Sequence, residues 1–230
     1  MNLFLLIQAA QTAQPEEITG EAEKGMNYFQ MALNGGLIMI PLALLSVIAV
    51  YIFFERFFAI KKATKEDASF MNKIKDYIHD GKIDSALTLC QSQQSPIARM
   101  IEKGVSRIGR PLTDVNTAIE NVGNLEVSRL EKGLPTLATV SGGAPMIGFL
   151  GTVIGMIQAF FDMANAGNNI DVSLLSSGIY TAMVTTVAGL AIGIIAYFAY
   201  NILVAKVEKV VFKMEARTME FMDLLNEPSH

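Results

Sequence analysis

Residues 172–205 read VSLLSSGIYTAMVTTVAGLAIGIIAYFAYNILVA and contain no Asp, Glu, His, Lys or Arg. A bilayer core about 30 Å thick is crossed by roughly 20 apolar residues of helix, so this run is long enough to span it. Inside it sit Ser177, Thr181, Thr185 and Thr186. A hydroxyl in hydrocarbon is unfavourable unless it is bonded, and on a helix it can bond back to the preceding turn. A single threonine therefore means little. Ser177, Thr181 and Thr185 recur every four residues and so share a face, while Thr186 lies about 100° further round. Two readings stay open: back-bonded structural hydroxyls, or a polar seam lining a path.

Two more stretches pass the same length test. Residues 36–54 read GLIMIPLALLSVIAVYIFF, and residues 134–161 carry no charge. The expected spans are 36–55, 134–162 and 173–205. At about 1.5 Å per residue the second and third exceed the core by some 10–20 Å, so they tilt or continue as helices into water. Composition agrees: of 230 residues 51% are hydrophobic and 17% charged, where a soluble domain carries about a quarter charged. The net charge of −4 gives no reason to expect nucleic acid. The lone cysteine, Cys90, excludes an internal disulfide, and the absence of Trp leaves interfacial anchoring to Tyr and Phe.

Basic residues set the expected orientation. Most lie in 56–133, among them Lys61, Lys62, Lys65, Lys73, Lys75, Arg99, Lys103, Arg107 and Arg110, and the tail 206–230 adds Lys206, Lys209, Lys213 and Arg217. The connection 163–172 has no Lys or Arg, and residues 1–35 hold Lys24 against Glu16, Glu17, Glu21 and Glu23. The pattern predicts an external N-terminus, a cytoplasmic region 56–133, a periplasmic loop 163–172 and a cytoplasmic C-terminal helix. Within 1–35, LFLLI followed by small residues suggests a short signal-peptide core, although no Lys or Arg precedes it. The alternative is an external amphipathic helix.

Region 56–133 reads as helical, with a period of 3.6 rather than 2. Ser95-Pro96 suits a helix start, and Gly81, Gly104 and Gly109-Arg110-Pro111 punctuate the segment. Val115, Ala118, Ile119, Val122, Leu125 and Leu130 form one apolar stripe. In the tail, Val207, Val210, Val211, Met214, Phe221, Met222 and Leu225 form another, available to pack on neighbouring subunits. Lys206, Lys209, Lys213 and Arg217 read as a solvated face beside anionic headgroups. No nucleotide-binding loop, metal-ligand cluster or nucleophile–base pair stands out, so neither a cofactor nor an enzymatic activity is expected.

The second span contains APMIGFLGTVIGM at 144–156, with Gly148, Gly151, Thr152 and Gly155. Gly151-xxx-Gly155, and Gly189-xxx-Gly193 in the third span, are spacings that let membrane helices approach closely. Pro145 removes a backbone hydrogen bond and is expected to kink its helix. With Thr152 added from the second span, a polar seam between spans is plausible. Hydroxyls relay protons or orient water but do not take up charge near neutral pH. Apart from Glu55 and Asp162 at the span ends, the spans supply no carboxylate or histidine, so any transported proton needs a titrating group from another polypeptide.

APMIGFLGTVIGM and GIYTAMVTTVAGLAIGIIAYFAYN resemble the signature of the MotA/TolQ/ExbB proton-channel family, most of all its ExbB branch. The resemblance covers the whole layout. It implies an all-α membrane protein with three transmembrane helices, two of them long and extending into the cytoplasm, and a cytoplasmic helical domain. It further implies a multi-pass protein of the Gram-negative inner membrane, assembled as a pentamer in membrane lipid. An ExbD-like single-span partner would supply the pore aspartate, and a TonB-like protein would receive the motion. The same motor type coupled to Tol-Pal-like envelope maintenance is the alternative, and a non-conducting scaffold is a third. Thr152 and Thr186 match the family's second- and third-span threonines, both implied to face the pore. Where relatives carry a glutamate in GIAEAL, this chain has GIYTAM, with Thr181 at that position.

Overall fold

The computed structural model describes residues 35–64, 69–165 and 172–226. The alternatives for the N-terminal segment thus lie outside the described residues, as do most of the connection after Asn165 and the last four positions. Seven helices are described: α1 Met39–Thr64, α2 Phe70–His79, α3 Ile83–Ser92, α4 Pro96–Val105, α5 Leu112–Glu131, α6 Leu134–Asn165 and α7 Val172–Asn226. Among the described residues three helical stretches are long and apolar enough to cross a membrane: Met39–Thr64, the α5–α6 run Leu112–Asn165, and Leu175–Asn226. The uncharged part of the second run is the stretch 134–161 of α6. The protein is an all-α membrane protein.

Local chemistry explains the boundaries. Ser95, in extended backbone, accepts the Ala98 amide at 3.1 Å, and Pro96 opens α4. Gly133 takes φ +86°, a left-handed conformation that separates α5 from α6. α7, with 55 residues, rises about 80 Å at 1.5 Å per residue. It runs unbroken past position 205, so its last several turns lie beyond any bilayer core.

α6 and α7 form an antiparallel pair, since Ala159 meets Gly178 at one end and Pro145 meets Gly193 at the other. α1 lies alongside both. A Cβ on Gly35 at its start would come within 3.4 Å of Val184, and further along Lys206 Nζ stands 4.9 Å from the Phe57 ring centroid, so α1 runs parallel to α7. The outward faces of these helices remain apolar, with Phe149 65% and Phe198 61% exposed. Such faces require lipid or neighbouring helices.

The polar end is built on α7. Phe70, Ile74, Ala86, Cys90, Ile101 and Ile119 are fully buried together with Val210 and Phe221 of α7. Phe221 lies over Gly104, where a Cβ would come within 2.5 Å of its ring. Much of the apolar stripe of the tail is therefore spent within its own chain: Val207, Val210, Met214 and Phe221 are buried in one core with the short helices, while Val211, Met222 and Leu225 are half-buried. The α5 stripe also differs from expectation. Leu125 is exposed and Glu126 is buried in its place, because 122, 126 and 130 follow the four-residue ridge while 125 lies about 100° away. Glu126 joins Arg99 of α4 to Arg129, whose Nη1 donates to it at 2.6 Å. Arg56 of α1 donates to the Arg129 carbonyl at 3.0 Å, tying the first span to this cluster.

Cys90 tests this core. Burial, helped by the nearby Glu102 charge, pushes its thiol up to about 12 from an ordinary 9.0. A raised value keeps the thiol protonated. At pH 8 the thiolate fraction, and with it the iodoacetamide labelling rate, is expected to be on the order of 1,000-fold lower folded than unfolded. Labelling within tenfold of the unfolded rate would contradict this placement.

Candidate functional site

The α6–α7 seam is made of residues too small to keep the backbones apart. A Cβ on Gly189 would lie 2.6 Å from the Ala144 carbonyl oxygen and 2.9 Å from Gly148 Cα. One on Gly148 would lie 2.8 Å from the Thr185 carbonyl oxygen. Gly155 meets Ala182, where the added atom would stand 2.9 Å from its Cβ, and Gly151 would strike the Thr185 side chain. Pro145 leaves the Ser141 carbonyl without its helical donor. Gly193 packs against that gap: its Cβ would be 2.5 Å from the proline ring and 3.0 Å from the Ser141 oxygen. α6 continues through Pro145 without interruption.

Close approach brings hydroxyls from both helices together. Thr185 donates to the Ala182 carbonyl at 2.7 Å and lies 3.4 Å from the Gly148 carbonyl. Thr186 donates to the Gly148 carbonyl at 3.2 Å, and its oxygen is in hydrogen-bond contact with that of Thr152. Thr152 also reaches the Ala182 carbonyl at 3.3 Å and the Gly148 carbonyl at 3.4 Å. Each hydroxyl has a single proton and can accept as well as donate. Two proton orders are therefore available. In one, Thr152 donates to Thr186, which donates to Gly148. In the other, Thr186 donates to Thr152, which donates to Ala182 or Gly148. A pair that can reverse its direction can relay a proton or orient water but cannot store charge.

Burial separates the threonines. Thr185 is 1% exposed, sealed against Gly151, and acts in packing. Thr152 and Thr186 are half-buried and open to the edge of the seam. Ser177 is exposed and outside the cluster. Thr181 is half-buried near the start of α1, its methyl 3.9 Å from where a Gly36 Cβ would sit. The four-residue spacing explains the split. Each step overshoots a 3.6-residue turn by about 40°, so Ser177 and Thr185 diverge by about 80°. Sequence reasoning missed Gly178 and Ala182 as seam residues. The series 178, 182, 185, 189, 193 of small residues was the available signal.

A model of the MotA/TolQ/ExbB proton channel family matches residues 92–216, which include this whole seam. A biopolymer transport protein ExbB homolog of Methanothermobacter thermautotrophicus is 28% identical over 195 residues, covering 83% of this chain and 69% of the relative. The Tol-Pal system protein TolQ of Pseudomonas aeruginosa is 26% identical over 205 residues, covering 84% and 88%. An ExbB-like protein of Helicobacter pylori is 38% identical over 86 residues, 37% of this chain and 57% of the relative. The matched region holds α6, the apolar part of α7 and the threonine pair between them, and the chain belongs to the MotA/TolQ/ExbB proton channel family.

Proposed function

We propose that this chain is the pore-forming subunit of an inner-membrane motor that uses the proton motive force to energise TonB-dependent outer-membrane transport. The observation that carries the reading is the half-buried Thr152–Thr186 pair, set in uncharged stretches of two helices with reversible proton order. Such a pair needs a titrating partner, and an ExbD-like single-span protein would bring an aspartate to it within a homopentamer. A TonB-like protein then takes up the motion, and no catalytic turnover by this chain is involved. The distribution of Lys and Arg supports a periplasmic N-terminus and a cytoplasmic C-terminus. The TolQ relative, matched over 88% of its length, favours a second reading in which the same motor serves Tol-Pal-like envelope maintenance.

The test is proton flux in vesicles carrying this chain with its single-span partner. Removing one hydroxyl from the relay removes a hydrogen bond of about 1–1.5 kcal/mol, so Thr152→Val or Thr186→Val is expected to cut flux about tenfold with assembly intact. Unchanged flux in both variants would remove the threonine pair from the path, and absence of flux from the wild type would leave a non-conducting scaffold. In cells, lost siderophore uptake marks the TonB reading, and detergent sensitivity marks the Tol-Pal one.

A further inference from the structure

Two cavities lie end to end along the seam between α1 and α7. The first, about 460 Å³, is lined almost wholly by apolar side chains, including Ala49, Phe53, Phe54, Ala199 and Ile202. The second, about 430 Å³, is formed by Phe57, Ile60, Lys61, Thr64, Lys206, Lys209 and Lys213. One helical turn separates them: Phe53 leads to Phe57, their ring centroids 5.8 Å apart, and Ile202 leads to Lys206. Each has the size of a ligand cleft, about 300–1,000 Å³.

The charge is one-sided. Lys206, Lys209 and Lys213 share one face of α7, and Lys61 meets them from α1. Among the described residues no carboxylate lines this cradle. Lys206 is the first charged residue after the apolar run of α7, so the cradle sits at the membrane boundary and the groove extends into the core. From Ser46 to Lys61 the helix rises about 22 Å, the depth of one leaflet of a bilayer about 40–45 Å thick.

We infer that the α1–α7 seam is a binding site for an anionic phospholipid, with an acyl chain in the apolar groove and the phosphate held by Lys61, Lys206, Lys209 and Lys213. The lipid fills the space between the first and third spans at the level where α7 leaves the membrane. The shape fits a lipid better than free phosphate, because an apolar cleft of equal size continues the basic cradle. The lysines select the headgroup, and the groove requires the chain.

Native mass spectrometry of the full-length assembled protein, taken from nanodiscs of equimolar phosphatidylglycerol and phosphatidylcholine, tests this. The wild type is expected to retain phosphatidylglycerol at least tenfold over phosphatidylcholine. The double variant Lys209→Gln/Lys213→Gln is expected to weaken that retention about 30-fold, since each basic residue at an anionic surface is worth roughly fivefold. Ala199→Phe, which leaves the lysines in place, is expected to lower retention by filling the groove. Equal retention of both lipids by the wild type overturns the site, as does unchanged retention in the lysine variant. Release of the lipid by inorganic phosphate, or full retention in Ala199→Phe, overturns the role of the groove. An assembled protein that keeps no lipid means a neighbouring copy occupies the seam instead.

Discussion

Gly189→Ala is expected to be among the most damaging single-methyl additions in this chain. The added carbon would sit 2.6 Å from the Ala144 carbonyl oxygen and 2.9 Å from Gly148 Cα. Both obstacles are backbone, so no rotamer change relieves them, and the two long helices must separate. Overpacking of this kind costs about 3 kcal/mol. That cost corresponds to a fall in melting temperature of about 5–10 °C for a chain of this size. Separation also lengthens the 3.2 Å bond from Thr186 to the Gly148 carbonyl, so flux should fall together with stability. Gly142→Ala is the matched control. It lies on α6, the helix that Gly189 packs against, with nothing within 4 Å of the added carbon, and its melting temperature should stay within a degree or two. Equal melting of the two variants would rule out the backbone contact.

Glu126→Ala is expected to destabilise the polar end by about 3 kcal/mol. Glu126 is 2% exposed and is the carboxylate between Arg99 and Arg129. Removing it leaves two guanidinium groups facing one another, and breaking a buried pair in this way costs roughly 3–5 kcal/mol. The lower figure applies because the arginine side chains are 38% and 60% exposed and water can reach them. Glu126→Gln keeps the shape and one acceptor, so it should fall between the wild type and Ala. Limited proteolysis between α4 and α5 gives the readout, with the order wild type, Gln, Ala in increasing cleavage. Identical protection in all three would mean that the cluster contributes nothing. Because Arg56 of α1 bonds the Arg129 carbonyl, loosening this cluster should also free the Arg56 end of the first span.

Much of the architecture was legible as hydropathy. An uncharged run such as 172–205 admits few structures in a bilayer, since every backbone group there must bond within its own helix. The Gly-xxx-Gly spacings likewise announced close helix contact. What they could not announce was the partner. That Gly148 meets Gly189 and Gly193 meets Pro145 depends on how two helices slide past each other, and spacing within one helix carries no such register. The threonines make the same point. Their presence was plain, yet only the packing sealed Thr185 and left Thr152 and Thr186 open. Glu126 was hidden for a related reason. A carboxylate on an apolar ridge looks like an interruption until Arg99, 27 positions earlier, is brought beside it.

The sequence by itself determined that this is a helical membrane protein whose spans have uncharged interiors, because the solvation of charge and backbone in hydrocarbon is a local matter. It also determined that no span interior supplies a carboxylate or histidine to accept a proton. Only the tertiary structure decided which hydroxyls pair, which one is sealed, and that α1 and α7 leave an apolar groove ending in lysines. Those outcomes follow from contacts between residues far apart in the chain. Such contacts are set by which small side chains let backbones touch, and that is a property of two surfaces together rather than of either sequence alone.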